Sequence, residues 1–149
     1  LRGLMGGDYF GFKGDFYDIP DLKLCPVPSQ PVPILIGGHS KLALKRAAKL
    51  GDGWISAGIT LEETKDFINQ INSYREEFGT LDHPNYQFQV MGEAAYSPDG
   101  VKALEDLGAT EVIVAFRNAY EGGPDERTLD SMKAEISWYA EEVINKFRS

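Results

Sequence analysis

The residue types best suited to chemistry fall together in Ile36-Gly37-Gly38-His39-Ser40-Lys41. Two glycines at the carboxyl end of a strand let the backbone approach a ligand closely. A helix that starts just after them offers unpaired N–H groups and the positive end of its dipole, which together suit a phosphate. Ser40 adds a hydroxyl donor and Lys41 a positive charge. The same turn can equally serve only to lead a strand into a capped helix, and the pattern alone leaves both readings open.

The neighbouring candidates are weaker. His39 stands at the mouth of the turn, where it can donate to a phosphate or face a substrate, and it receives a supporting role. Lys45, Arg46 and Lys49 continue the helix beyond its first turn, too far along to touch a phosphate at its start, and read as a solvated outer face. His83, in Leu81-Asp82-His83-Pro84, is assigned no role. Glu93 falls in a predicted strand, where an inward carboxylate needs a partner; interior contact and rim position both stay open. No catalytic acid, base or nucleophile is assigned.

Other templates fail. Gly6 and Gly11 have the spacing of a phosphate loop, but Phe12 stands where lysine is required and no strand precedes them. The two histidines lack a metal-ligand spacing, so no metal is expected. There is no Gly-x-Ser-x-Gly elbow for a serine hydrolase.

The elements that must position the turn follow a regular rhythm. Residues 8–33 form one extended excursion, rich in aromatics (Tyr9, Phe10, Phe12, Phe16, Tyr17) and then in prolines (Pro20, Pro26, Pro28, Pro31, Pro33). Its composition opposes helix and inner strand, and its aromatics are expected to pack. Over 34–149 the apolar pattern predicts βα units. Pro33–Ile36, Trp54–Ala57, Phe88–Ala95 and Val112–Phe116 read as strands. Helices follow at Ser40, at the capping box Thr60-Leu61-Glu62-Glu63, at Ser97-Pro98 and from about Thr128. The last carries Leu129, Met132, Ile136, Tyr139, Val143 and Phe147 as one stripe. The order β-α-β-α-β-α-β-α implies an α/β fold with a parallel sheet. A complete (β/α)₈ TIM barrel takes about 250 residues, so residues 1–149 suit a single partial domain of about four βα units. Four such strands leave two bare edges that need a partner. Either a preceding half-barrel is missing or two half-barrels associate as a homo-oligomer. The start at Leu1, within what reads as a helix end, points to a fragment.

Composition excludes whole classes of partner. Fifteen Lys and Arg against 23 Asp and Glu give a net charge of -8, unsuited to nucleic acid or to an anionic membrane. No apolar run nears the roughly 20 residues needed to cross a bilayer. The single cysteine, Cys25, forbids an internal disulfide and fits a reducing, cytoplasmic setting.

Three stretches resemble the luciferase-like monooxygenase family: Phe12-Lys13-Gly14-Asp15-Phe16-Tyr17, the run from Pro26 to Gly38, and Ala47-Ala48-Lys49-Leu50-Gly51-Asp52-Gly53-Trp54. The passage from Leu104 to Val114 is similar to the family's last helix-to-strand segment. The resemblance implies the C-terminal half of a TIM barrel, with the four strands as its fifth to eighth. It also implies an oxidoreductase or monooxygenase whose coenzyme phosphate rests on Gly37, Gly38, His39, Ser40 and Lys41. The Gly-Asp-Gly-Trp ending resembles members that use the deazaflavin coenzyme F420, the preferred coenzyme, with flavin mononucleotide (FMN) as the alternative. Partners are then the coenzyme and a small-molecule substrate, whose identity the sequence leaves open. In such enzymes the cofactor carries the hard chemistry and the protein orients it. Two alternatives remain: a non-catalytic half-barrel or oligomerisation module, and a barrel enzyme that uses the cradle for a phosphorylated metabolite.

Overall fold

A computed structural model describes residues 1–117 and 123–148. The chain divides into two compact units, Leu1–Pro33 and Ile34–Ser149.

In the first unit a short helix, α1 (Arg2–Met5), precedes an antiparallel hairpin of β1 (Phe10–Lys13) and β2 (Asp18–Leu22). The excursion expected over 8–33 therefore contains regular structure. Its signal was masked by Pro20, which lies inside β2; a two-stranded ribbon has a free edge on each strand, where a missing N–H is tolerated. The amide of Gly14 closes the turn on the carbonyl of Tyr17 at 2.8 Å. Phe16, expected among the packing aromatics, is 91% exposed, as is most of Tyr17.

The second unit is a parallel α/β layer. Strands β3 (Leu35–Gly37), β4 (Gly53–Ile55), β5 (Gln87–Met91) and β6 (Glu111–Ile113) pair in that order, each parallel to its neighbour. The register aligns Ile36 with Trp54, Trp54 with Phe88 and Val90 with Val112. Helices α2 (Lys41–Leu50), α3 (Leu61–Phe78), α4 (Pro98–Asp106), α5 (Leu129–Tyr139) and α6 (Asn145–Arg148) lie between or after the strands. Parallel pairing requires a crossover after each strand, and the apolar faces of these helices supply the burial that stabilises it.

The core gathers Leu44, Ala47 and Ala48 from α2, Ile68 and Ile71 from α3, Trp54, Phe88 and Val90 from the sheet, and Leu104 from α4. Full burial of each large side chain contributes about 1.5–3 kcal/mol before entropy is counted. The capping box forms as the sequence predicts: Thr60 Oγ1 accepts from the Glu63 amide at 3.2 Å, and Glu63 Oε2 accepts from the Thr60 amide at 2.9 Å. Gly79 ends α3 in the left-handed region.

Two expectations need correction. The third strand stops at Met91, and Glu93 opens a 3₁₀ turn, Glu93–Tyr96, instead of continuing the strand. That turn curls over the end of the sheet, burying Ala95, whose carbonyl accepts from the Tyr139 hydroxyl at 2.8 Å. Glu93 is thus an exposed rim residue. The final helix does not bury its whole stripe either. Tyr139 and Val143 join Val101 in a small second cluster, whereas Leu129 and Ile136 are more than half exposed. A π turn over Ala140–Ile144 inserts an extra residue and shifts the phase of the stripe beyond it.

Candidate functional site

The strands are parallel, so the turns that follow β3, β4 and β5 all emerge at one end of the sheet. In open or closed α/β sheets, ligands bind outside the carboxyl ends of the strands.

The turn after β3 carries all five residues singled out by sequence, and each is exposed: Gly37, Gly38, His39, Ser40 and Lys41. Gly38 has φ +112°, a conformation that L side chains rarely adopt. Ser40 caps α2 through its Oγ, which accepts from the Ala43 amide at 3.3 Å, leaving the hydroxyl proton free to be given elsewhere. The amides of His39, Ser40, Lys41 and Leu42 donate to no acceptor among the described residues. Four donors therefore open to solvent at the positive end of a ten-residue helix, α2, with the Lys41 ammonium beside them. No described carboxylate lies within ion-pair distance of Lys41.

Two contacts fix the shape of this turn, and sequence reasoning missed both. The indole N–H of the fully buried Trp54 donates to the Gly38 carbonyl at 2.9 Å. Because the Gly38 carbonyl and the His39 N–H belong to one planar trans peptide, holding the oxygen toward Trp54 aims the His39 N–H the opposite way. The His39 ring stacks on Phe67, 5.1 Å between centroids and 17° between planes, and its Nε2 accepts from the Ala57 amide at 3.5 Å. His39 is thus a wall of the turn as well as a candidate donor. The signal that could have found Trp54 was the Gly-Asp-Gly-Trp run itself.

That run clamps β3 at both ends. Asp52 Oδ2 accepts from the Ile34 amide at 2.7 Å, where β3 begins, while Trp54 holds Gly38 where it ends. Between them Gly53 passes so close to β5 that a Cβ there would lie 2.5 Å from the Gln87 carbonyl oxygen.

His83, given no role from sequence, lies with Nε2 3.3 Å from Asp52 Oδ1, at the amino ends of the strands and away from the cradle. Nearby, the buried Arg75 guanidinium sits 3.9 Å from the centre of the Tyr86 ring. Burial pushes the Tyr86 phenol up to about 12, with Arg75 pulling the other way. Of the cations read as a solvated outer face, Arg46 and Lys49 are exposed and Lys45 is half-buried. Lys45 lays its ammonium over Tyr74, and Lys45 and Lys49 both lie over Phe78 of α3.

A cleft of about 530 Å³ opens between the turns after β4 and β5, lined by Gly58, Ile59, Thr60, Leu61, Glu93 and Ala94. Its floor is stitched to the sheet: Ser56 Oγ accepts from the Met91 amide at 3.0 Å, and the Ile59 amide donates to the Met91 carbonyl at 3.2 Å. The Glu63 carboxyl at its edge is held below the usual range, first by the hydrogen bond from the Thr60 amide, then by that from the Thr60 hydroxyl, with a small contribution from His39. No group of His, Cys, Asp and Glu that could hold a metal occurs among the described residues, and none of their helices is long and apolar enough to cross a membrane.

Several known proteins are similar to this chain in sequence. An uncharacterized protein of Mycobacterium tuberculosis is 44% identical over 146 residues, 98% of this chain and 50% of the relative. An F420-dependent glucose-6-phosphate dehydrogenase of Amycolatopsis mediterranei is 40% identical over 107 residues, 71% of this chain and 32% of that protein. Other relatives are named FMNH(2)-dependent dimethylsulfone monooxygenases of Pseudomonas. A solved F420-dependent secondary alcohol dehydrogenase, in complex with an F420-acetone adduct, superimposes with a TM-score of 0.53 at 24% identity, covering 71% of this chain and 32% of the other, and so supports the fold. The chain spans about half the length of the curated mycobacterial relatives it matches. A family model for luciferase-like monooxygenase matches residues 1–142, and with the parallel sheet and the turn after β3 described above, the chain belongs to that family.

Proposed function

We propose that the chain is the coenzyme-phosphate-binding portion of a luciferase-like oxidoreductase, with the phosphate of F420, or alternatively of FMN, seated on Gly37, Gly38, His39, Ser40 and Lys41. The observation that carries this reading is the run of solvent-facing amides from His39 to Leu42, which have no acceptor among the described residues. These donors, the Ser40 hydroxyl and the Lys41 ammonium match an anionic oxygen cluster in number and charge. When bound, the coenzyme supplies hydride transfer, or in the flavin case also reaction with oxygen. The chain's own residues hold the phosphate, fix the turn through Trp54 and shield its flank with His39 and Phe67.

The four βα units form, in this reading, the second half of a (β/α)₈ barrel within one partial domain. Strands β3 and β6 are the sheet's edges and find no further strand among the described residues. Either a first half-barrel of the same protein or a second copy of the chain completes the ring. A non-catalytic oligomerisation module is the reading left standing if no coenzyme binds.

Fluorescence titration with F420 and with FMN tests the assignment. Lys41→Glu is the sharper variant, because an acidic residue in the first turn favours the helix while reversing the charge at the cradle. We expect it to weaken binding at least tenfold, and Gly38→Asp to abolish it. Failure of both coenzymes to bind the protein, with both variants indistinguishable from it, overturns the proposal.

A further inference from the structure

We propose that the cleft between the turns after β4 and β5 is the substrate subsite, and that it accepts non-anionic molecules with an apolar body and a hydrogen-bond donor, hydroxyl or amine, while refusing phosphate esters. This rests on the coenzyme reading above, and it concerns a different set of residues.

Position comes first. The cleft opens at the same end of the sheet as the cradle, and the two are joined: the Ala57 amide, one residue before the cleft, donates to His39 of the cradle turn. A molecule in the cleft therefore lies beside whatever occupies the cradle. A volume of about 530 Å³ falls within the range of small-molecule sites.

The lining then selects. Ile59, Leu61 and Ala94 offer apolar surface, and Gly58 adds no side chain. Thr60 is committed to the helix cap, with its Oγ1 accepting from Glu63. Among the described lining residues Glu93 alone is charged, and its carboxylate has no ion-pair or hydrogen-bond partner among the described residues. An ionised carboxylate only accepts, so its natural complement is an O–H or N–H donor. The described lining holds no lysine or arginine. The N-terminus of α3 also opens here, but Glu62 and Glu63 in its first turn offset its dipole. A phosphate ester would meet these carboxylates and Glu93, with a second anion on the cradle next door.

The same Glu93 that the sequence pattern could place either inside or at the rim thus becomes a specificity determinant at the rim. It receives the donor of a bound substrate and repels a second anion.

Amide-resolved nuclear magnetic resonance of the protein separates the two sites directly. Inorganic phosphate reports on the cradle; cyclohexanol, cyclohexylamine and cyclohexyl phosphate probe the cleft. We expect inorganic phosphate and cyclohexyl phosphate to shift the amides of 38–42 only. Cyclohexanol and cyclohexylammonium should shift those of 58–61 and 93–94. Glu93→Gln, which keeps an acceptor, should leave cyclohexanol binding within about twofold and weaken the ammonium at least fivefold. Glu93→Lys should bring cyclohexyl phosphate into the cleft. The proposal is overturned if cyclohexyl phosphate perturbs the unaltered cleft as strongly as the alcohol, if neither neutral nor cationic probe perturbs it, or if Glu93→Lys leaves the preference unchanged. Silence of the 38–42 amides toward inorganic phosphate would overturn the cradle assignment instead, whatever the cleft does.

Discussion

Replacing Trp54 with Phe removes one hydrogen bond and part of one fully buried side chain, and the two losses act on different properties. The indole N–H donates to Gly38 at 2.9 Å, so the change leaves that carbonyl without its donor, a loss of about 1 kcal/mol. The smaller ring leaves space in a position that is 0% exposed, for roughly another 1–2 kcal/mol. Together these predict a destabilisation of about 2–3 kcal/mol, which lowers the urea midpoint by about 1–2 M at a typical denaturant slope. The second effect is local. Once the Gly38 carbonyl is released, its peptide is free to rotate and the His39 N–H loses its fixed aim. Loss of one oriented donor, about 1 kcal/mol, corresponds to roughly a fivefold weaker coenzyme titration in folded protein. Leu104→Ala, in the core at α4 and away from the turn, is the control: it should destabilise by about as much or more while leaving coenzyme affinity in folded protein unchanged. If Trp54→Phe and Leu104→Ala affect binding equally, the Trp54 bond does not orient the cradle and the reasoning is refuted.

Gly53→Ala should destabilise by at least about 2 kcal/mol in urea unfolding, because its methyl meets the Gln87 carbonyl oxygen at 2.5 Å on a paired strand with no flexible atom to yield. Tyr86→Phe should be neutral or stabilising by up to about 1 kcal/mol at neutral pH, since the buried Tyr86 hydroxyl has no hydrogen-bond partner among the described residues. The same variant should blunt alkaline unfolding. With its folded-state value raised to about 12, Tyr86 contributes stability that is intact below the ordinary tyrosine range and lost as pH rises from about 10 toward 12. An unchanged alkaline midpoint in Tyr86→Phe would count against this.

What the sequence disclosed and what it hid differ by mechanism. The βα rhythm was legible because each strand is a short apolar run and each helix carries its own start signal; the Thr60 capping box and the Ser40 cap both form as read. Such signals are local, so local inspection finds them. The turn after β3 was singled out by the same route, since a Gly-Gly turn before a capped helix is a contiguous feature, and its exposed position at the end of the sheet is what the structure adds. The hairpin at Phe10–Leu22 was hidden because Pro20 normally argues against a strand, and only the absence of a second neighbour makes it harmless. Glu93 was misplaced because apolar alternation runs on from β5 into a turn that is set by packing under Tyr139, more than forty residues away. The last helix looked one-faced because apolar spacing does not say which positions meet a neighbour: Leu129 and Ile136 stay exposed within regular α5, and the π turn breaks the phase only from Ala140 on. The described residues of the site itself were legible as donors; their orientation was not, because it depends on Trp54 and Phe67, which approach from other elements.

This separation bears on what the Gly-Asp-Gly-Trp run does. Although it resembles the ending found in members that bind deazaflavin, no hydrogen bond links its two side chains, Asp52 and Trp54, to the open amides after β3 among the described residues. Asp52 secures the residue before β3, Gly53 lets β4 lie against β5, and Trp54 secures the Gly38 carbonyl within the turn itself. A short strand of three residues has too few ladder bonds to fix its own ends, so the neighbouring strand supplies the anchors. If the turn after β3 is the phosphate site proposed above, the motif acts on it from behind, by holding the backbone that presents the donors. It follows that changes to Asp52 or Trp54 should weaken coenzyme and inorganic phosphate by the same factor, whereas changes to Lys41 should depend on the charge of the ligand.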